Sequence, residues 1–127
     1  MTDRGNVPQV SQYGSVDPAP PSPISEIDSL ASRLCDESLP MFQRMRAVFS
    51  LRNQRSDEAC LALCRGFESE SALLRHEIAY VLGQMQNTAA LPTLIERLED
   101  ASEHVMVRHE AAAVSYTHLR AHETHEN

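Results

Sequence analysis

Apolar residues recur every three or four positions from residue 24 onward, which is the spacing of amphipathic helices. No alternation of apolar and polar residues typical of a strand interrupts this pattern. The spacing predicts five helices in SEIDSLASRLCDE, LPMFQRMRAVFSLRN, SDEACLALCRGF, SALLRHEIAYVLGQMQ and TAALPTLIERLED, and a sixth that begins near Val105. Ser56 and Thr88 are the predicted N-cap residues of the third and fifth helices. The predicted fold class is all-α.

The predicted helices also repeat along the chain. Arg75-His76-Glu77 matches Arg108-His109-Glu110 at an offset of 33 residues, and Leu51 matches Leu82 at an offset of 31. At the second offset, four further pairs of apolar residues coincide: Phe49 and Tyr80, Ala59 and Ala90, Leu63 and Leu94, Phe67 and Leu98. Helix pairs that recur in this way indicate an α-solenoid of stacked antiparallel hairpins. We assign residues 24–113 to this α-solenoid.

The N-terminal segment differs in composition from the helical part. Residues 1–23 contain five of the seven prolines and few large apolar residues, and they show no period. Such a segment cannot offset its ordering entropy by burial. We therefore predict that residues 1–23 form a disordered linker or arm.

Charge and apolar content narrow the class of partners. Acidic residues outnumber basic ones by eighteen to eleven, which disfavours nucleic acid and anionic membranes and suits a cationic substrate. No apolar stretch reaches the length of a membrane span, and the N-terminus lacks the layout of a signal peptide, so we expect a cytosolic protein. Cys60 and Cys64 lie one helical turn apart, and we expect them to pack in the core.

The recurring His-Glu pairs are the candidate chemistry. The first unit has Met45 and Arg46 at the same place, so the fold itself does not require His-Glu there. Neighbouring helices in a stack lie about 8–10 Å apart, so His76 and His109 can reach one shared ion. Consecutive residues on a helix diverge by about 100°, so each Glu should point elsewhere.

The spacing also limits the type of metal site. A zincin needs two His residues at i, i+4 on one helix, whereas each helix here supplies one. Imidazoles and carboxylates without a usable thiolate fit a non-haem iron site of the two-His-one-carboxylate type. The alternative is that each His-Glu is a polar pair that forms hydrogen bonds across the stack.

Several segments together resemble one enzyme family. YGSVDPAPP, FQRMRAVFSLRN, ALLRHEIAYVLGQMQ, ALPTLIERLED and VMVRHEAA resemble the deoxyhypusine hydroxylases, which are HEAT-repeat di-iron monooxygenases. The resemblance runs from about residue 13 to about residue 112 and is to the C-terminal half, preceded by the linker between the halves. It implies hydroxylation of the deoxyhypusine side chain of a translation factor with two Fe²⁺ ions and dioxygen.

The resemblance also implies roles for four residues. His76 and His109 would bind one iron, and Glu77 would reach across to a second iron. Glu110 would be the fourth residue of the metal site, and would lie near the substrate amine or support the metal ligands. The N-terminal half of the family, with two His-Glu motifs of its own, has no counterpart in this chain, so the resemblance implies that half as a partner and an inactive isolated chain.

The C-terminus departs from the family. After VRHEAAA the chain reads VSYTHLRAHETHEN, which resembles the translation of a sequencing adapter. We interpret residues 114–127 as a non-native tail and assign no metal site to His118, His122 and His125.

Two other functions remain open from the sequence. One is a HEAT-repeat scaffold that binds a protein without metal. The other is a HEAT protein similar to the pigment lyases, which share the repeat but do not need the doubled His-Glu motif. Iron content would distinguish a scaffold from a hydroxylase.

Overall fold

The structure is a computed structural model that describes the backbone of residues 26–126 and the side chains of residues 26–120. The described part contains six α-helices and no strand, which confirms the predicted fold class. The helices are α1 (Ile27–Leu34), α2 (Met41–Gln54), α3 (Asp57–Arg65), α4 (Ala72–Met85), α5 (Leu91–Glu99) and α6 (Val105–Glu126). Short 3-10 turns occupy Gly66–Glu68 and Thr88–Ala90. The predicted disordered arm, residues 1–23, lies outside the described residues.

The helices pack as stacked hairpins. Helix α1 packs on α2, α3 on α4, and α5 on α6. Helix α4 also contacts both α2 and α6, so the second helices of the three hairpins form one layer, and α1 contacts α3 in the other layer. This arrangement confirms the predicted solenoid of antiparallel hairpins and places the two His-Glu pairs on adjacent helices.

Side-chain caps fix where the helices begin. Ser56 caps α3 as predicted, because its Oγ accepts a hydrogen bond from the Ala59 N–H at 3.0 Å. The prediction of Thr88 as a cap was wrong. Asn87 accepts the Ala89 N–H at 2.8 Å, and Thr88 is the first residue of the 3-10 turn that leads into α5. The side-chain amide oxygen of Asn87, and not the Thr88 hydroxyl, is therefore the cap.

The repeat offset identifies most of the core. Three aligned pairs are fully buried at both positions: Leu51 and Leu82, Ala59 and Ala90, Leu63 and Leu94. The pair Phe49 and Tyr80 differs, because Phe49 is 3% exposed and Tyr80 is 48% exposed. The Arg52 guanidinium lies 5.0 Å from the centre of the Phe49 ring and covers it. The position equivalent to Arg52 is Gly83, which has no side chain to cover Tyr80.

Three arginines, Arg44, Arg75 and Arg108, occupy equivalent positions on α2, α4 and α6, and we call them the arginine row. Arg44 Nε donates to the Leu34 carbonyl at 2.9 Å, and Arg108 Nε donates to the Leu98 carbonyl at 3.1 Å. Each of these two bonds ties the second helix of a hairpin to the end of the first. The arginine row therefore fixes the geometry of the first and third hairpins.

The arginine row also joins neighbouring hairpins through Ser69, in the loop before α4. Arg44 Nη2 donates to Ser69 Oγ at 3.2 Å, and Arg75 Nη1 donates to the Ser69 carbonyl at 2.7 Å. Arg44 Nη1 in addition pairs with Glu37 at 3.1 Å, and the other oxygen of that carboxylate accepts the Glu70 N–H at 3.0 Å. These bonds link the loop before α2 to the loop before α4.

Glu103 completes the polar links at the loop before α6. Its side chain is 1% exposed and accepts hydrogen bonds from Arg75 Nε and Nη2 at 2.7–3.0 Å and from Arg97 Nη1 at 3.3 Å. The His104 N–H donates to the same carboxylate at 2.7 Å. Glu103 thereby attaches the third hairpin to α4, the helix that carries His76 and Glu77.

The last helix continues through the predicted non-native tail. Helix α6 runs to Glu126 without a break, and the boundary at residue 114 stays a prediction. Within the tail, Ser115 and His118 are buried, and neither the Ser115 hydroxyl nor the two ring nitrogens of His118 has a hydrogen-bond partner among the described residues. Buried polar groups without partners destabilise a fold. This stretch of α6 is therefore poorly matched to the surface it covers.

We expect His118→Leu to stabilise the protein by about 1–2 kcal/mol at neutral pH, because it removes a buried group whose hydrogen bonds to water are lost on folding. Burial lowers the pKa of His118 in the folded protein. Below about pH 6.5, His118 binds a proton in the unfolded chain but stays neutral in the folded protein. The free energy of unfolding therefore falls as the pH decreases from there to the folded-state pKa. Chemical denaturation between pH 7 and pH 5 should show this slope in the wild type and a flatter one in the variant.

His104→Asn is the matched control for that substitution. His104 is exposed, and its Nδ1 accepts the Met106 N–H at 3.0 Å at the start of α6. Asparagine can accept the same bond, so the control removes an imidazole and keeps the helix cap. An unchanged slope in His118→Leu, or a flattened slope in His104→Asn, would contradict the assignment to His118.

Candidate functional site

The two His-Glu pairs occupy the same place on their helices. His76 and Glu77 are the fifth and sixth residues of α4, and His109 and Glu110 are the fifth and sixth residues of α6. Helices α4 and α6 pack directly against each other. The sequence therefore predicts correctly that the motifs lie on neighbouring helices at equivalent heights.

One direct contact joins the two motifs. His76 Nε2 lies 3.3 Å from Glu110 Oε1, and the two side chains are 31% and 22% exposed. A neutral imidazole protonated at Nε2 can donate this hydrogen bond, and a protonated imidazolium would make it an ion pair. The contact places the carboxylate of one motif beside the imidazole of the other.

Glu77 lies beside this pair. Burial raises the pKa of Glu77, the neighbouring His76 and Arg52 lower it, and Glu110 raises it. The net effect is a raised pKa, because burial is the largest of these causes. A cation close to Glu77 would favour the ionised form of that carboxylate.

The structure brings together three of the four predicted residues. His76, Glu77 and Glu110 lie close together, whereas His109 is exposed. Within residues 26–120, His109 forms no hydrogen bond or ion pair with the other three, and no group of three or more His, Cys, Asp and Glu side chains is arranged to hold a metal ion. The sharing of one ion by His76 and His109 therefore stays a prediction, as do the four assignments as metal ligands.

The residue types nevertheless fit half of an iron site. Imidazole and carboxylate oxygen are the donors that such a site uses, and they face one another from two adjacent helices. A carboxylate bonded to an imidazole is also the usual support for a metal-binding histidine. By this criterion Glu110 is better placed to orient His76 than to bind a metal itself.

Arg52 is a residue of this site that the sequence pattern did not single out. It lies on α2, its charge acts on Glu77, and its Nη1 donates to Gln84 Oε1 at 3.4 Å on the neighbouring helix α4. The helix α2 has no His-Glu of its own. The stacking order was the signal that could have identified Arg52. If the hairpins stack, α2 lies next to α4, so side chains of α2 can reach the residues of α4.

The sequence matches the family of HEAT repeats over residues 27–115. That match covers the first two hairpins and the third as far as residue 115. The chain belongs to the HEAT-repeat family. The three hairpins described above are its repeats, and the His-Glu pairs lie on the second helices of the second and third repeats.

Three curated relatives of this HEAT-repeat chain share one name. The chain is 50% identical over 113 residues to the deoxyhypusine hydroxylase of Candida albicans. It is 48% identical over 112 residues to the human deoxyhypusine hydroxylase and 53% identical over 100 residues to that of Danio rerio. These alignments cover 86%, 88% and 79% of the chain but 36%, 37% and 33% of the relatives. The chain thus spans about a third of the length of the curated relatives it matches.

A solved structure agrees with the sequence relatives. The structure of human deoxyhypusine hydroxylase in complex with glycerol is similar to this chain with a TM-score of 0.75 and 44% sequence identity. The superposition covers 94% of this chain and 43% of the human one. The resemblance inferred from the sequence segments is therefore confirmed. None of the helices in residues 26–126 is both long and apolar enough to cross a membrane.

Proposed function

We propose that this chain forms part of a deoxyhypusine hydroxylase, a cytosolic enzyme that hydroxylates the deoxyhypusine side chain of a translation factor. The observation that carries the proposal is the doubled His-Glu at equivalent places on α4 and α6, in a chain about half identical to proteins of that name. The first hairpin keeps the fold with Met45 and Arg46 at that place. The fold therefore does not explain the pairs, and a function does.

In this proposal His76 and His109 hold one iron, and Glu77 reaches toward a second iron held mainly by another half of the enzyme. Glu110 Oε1 lies 3.3 Å from His76 Nε2 and, in this proposal, orients the ring. An iron pair, when bound, supplies the redox chemistry and the open coordination positions that reaction with dioxygen requires. Helices α4 and α6 contribute the rigid spacing between the two motifs.

The same residues suit the charge of the proposed substrate. The deoxyhypusine side chain is a cationic amine, and Glu77 and Glu110 place two carboxylates on the neighbouring helices α4 and α6. The Glu110 carboxylate can accept a hydrogen bond from a bound amine. This proposal gives Glu110 a second role, in which it holds the substrate amine.

The proposal also requires a partner. One pair of histidines and two carboxylates leave a cation largely open to water, and such a site holds iron weakly. We infer that the remaining ligands come from a second half, the counterpart of the relatives' other two thirds, and that this polypeptide alone does not hydroxylate. The protein partners are thus that half and the translation factor.

Mixing the chain with a separately produced N-terminal half of a relative tests this proposal. We expect the mixture to bind two irons per complex and to hydroxylate a deoxyhypusine-bearing substrate, whereas the chain alone should do neither. Iron is measured by elemental analysis of the purified complex, and hydroxylation by the mass of the substrate. A complex that forms without iron would argue against the proposal.

A metal-free scaffold is the second candidate. The His76–Glu110 contact favours it, because a polar pair across the stack is what a protein-binding solenoid would show at this place. An exposed apolar row at equivalent positions of the three repeats, Phe42, Leu73 and Met106, is also compatible with a protein-binding surface. Absence of iron from the reconstituted complex would favour this candidate.

A further inference from the structure

Tyr80 presents an aromatic ring beside the His-Glu pair of α4. It follows His76 by four residues and Glu77 by three, so it lies on the same side of the helix one turn further along. Helical side chains lean toward the N-terminus of their helix, which brings the ring toward His76 and Glu77. Tyr80 is 48% exposed, so packing in the core does not account for an aromatic residue at this place.

The first repeat shows what a ring at this position can bind. Phe49 is the equivalent residue of α2, and the Arg52 guanidinium lies 5.0 Å from the centre of its ring. A cation within about 6 Å of a ring centre is attracted by the negative face of the ring. In the second repeat Gly83 takes the place of Arg52, so α4 supplies no cation of its own to Tyr80 at that position.

No guanidinium takes that place in the part of the chain that the structure describes. Arg52 reaches across to α4, where its Nη1 donates to Gln84 Oε1 at 3.4 Å, but the guanidinium stays over the ring on α2. The other cation–π contact among the described residues joins Arg120 and Tyr116 on α6. A cation over the Tyr80 ring must therefore come from a bound molecule.

We propose that Tyr80 is a substrate-binding residue that holds an ammonium group against its ring, an inference that rests on the proposed hydroxylase function. Deoxyhypusine is a lysine extended by an aminobutyl group, so its side chain has a second amine besides the one assigned to Glu110. One carboxylate cannot hold both ends of such a side chain. The ring of Tyr80 supplies the second point of attachment.

The spacing along α4 suits a side chain with two amines. Glu110 Oε1 lies 3.3 Å from His76 Nε2, and Tyr80 follows His76 by four residues, which is about 6 Å along the helix axis. An extended aminobutyl group separates its two nitrogens by a length of that order. One amine can therefore lie at Glu110 while the other lies over the ring of Tyr80.

The test on the full chain uses free deoxyhypusine as the probe and proton NMR as the measurement. The ring current of an aromatic side chain shifts protons above its face upfield, so the methylene protons next to the bound amine should move upfield as protein is added. Tyr80→Phe keeps the ring and should keep this shift. Tyr80→Leu should abolish the shift and weaken binding about two- to fivefold, as expected for loss of a cation–π contact at a partly exposed ring.

Two controls separate a cation–π contact from general affinity for the surface. Tyr116 is also exposed, but Arg120 lies over its ring at 5.9 Å, so Tyr116→Leu should leave the shift and the affinity unchanged. Deoxyhypusine acetylated on both side-chain nitrogens keeps the carbon skeleton without the charges and should show no upfield shift. No shift with the wild type, an equal shift with Tyr80→Leu, or an equal shift of the acetylated probe would overturn the proposal.

Kinetics on the complex with an N-terminal half distinguish this inference from the hydroxylase proposal. Tyr80→Leu should raise KM for the deoxyhypusine-bearing substrate about two- to fivefold and leave kcat within about twofold, with the iron content unchanged. An unchanged KM in an active, iron-bound complex overturns the role of Tyr80 and leaves the hydroxylase proposal standing. A complex without iron or turnover overturns the hydroxylase proposal, whereas the NMR shift on the chain alone still decides whether the ring binds an ammonium group.

Discussion

Glu103→Ala is expected to destabilise the protein by about 3 kcal/mol, the largest stability loss that we predict for a single side chain. Breaking a buried ion pair on one side costs about 3–5 kcal/mol, because the remaining charge stays buried without its partner. The lower end applies here, since Arg75 and Arg97 retain 15% and 19% exposure and have other acceptors in Ser69 and Asp100. Urea denaturation followed by circular dichroism measures the loss.

The exposed Glu99, at the end of α5, provides the matched control. Glu99→Ala removes a carboxylate of the same length from the same hairpin and should change the stability by less than about 0.5 kcal/mol. Glu103→Gln keeps the shape and part of the hydrogen bonding and should fall between the two. Equal stability of the Glu103 and Glu99 variants would show that the third hairpin does not depend on this carboxylate.

The same residue sets an expected dependence on pH. Burial alone would raise the pKa of Glu103, but the hydrogen bonds from Arg75 and the His104 N–H, and the charge of Arg75, lower it overall. A lowered folded-state pKa means that the unfolded chain binds the proton first as the pH falls. The contribution of Glu103 is therefore complete above about pH 4.3 and is lost as the pH drops further toward the folded-state pKa. The Glu103→Gln variant should lack this acid-dependent loss.

The fold could be predicted from the sequence because the spacing of apolar residues within each helix is a local pattern, and because that pattern repeats from one hairpin to the next. Helical spacing alone places α1 to α6, and the 31-residue offset identifies Leu51 and Leu82 as equivalent core positions. Periodicity could not reveal how Phe49 and Tyr80 come to differ. That difference depends on the residue three positions further along each helix, which is Arg52 after Phe49 and Gly83 after Tyr80.

The polar links between the loops were also not predictable. Arg75 is part of the repeated motif RHE, and the sequence assigned it no role. In the structure its guanidinium binds Ser69 and Glu103, so its role is to hold two hairpins together. Sequence offset identifies equivalent positions on the arginine row but carries no information about acceptors in loops of unequal composition.

Part of the candidate site could be predicted from the sequence and part could not. The sequence predicts correctly that the two His-Glu pairs lie on neighbouring helices, because stacking fixes which helices meet. It did not predict that His76 contacts Glu110 while His109 is exposed. The direction of each side chain depends on the rotation of α4 against α6, which the sequence does not specify. The two helices approach closely at Gly83, where an added Cβ would lie 2.9 Å from Val114 Cγ2.

In the reconstituted complex of the chain with an N-terminal half, His76→Ala and His109→Ala are each expected to lower hydroxylation by at least about 100-fold. Loss of a residue that only supports a metal ligand typically costs about 10–100-fold in metal affinity or activity, so loss of a ligand should reach or exceed the upper limit. Glu110→Gln should fall within the 10–100-fold range if its role is to orient His76. Turnover and iron content are measured on the same preparations.

His104→Asn is the control for these variants, since it removes an exposed imidazole outside the proposed site and can keep the cap of α6. Its activity and iron content should equal those of the wild type. If His76→Ala loses activity and His109→Ala does not, the two imidazoles do not share an iron, and His109 is an exposed residue without a role in the site. Full activity and two irons in both variants would remove the His-Glu pairs from the mechanism and favour the scaffold, because the three hairpins would then serve only to present a surface.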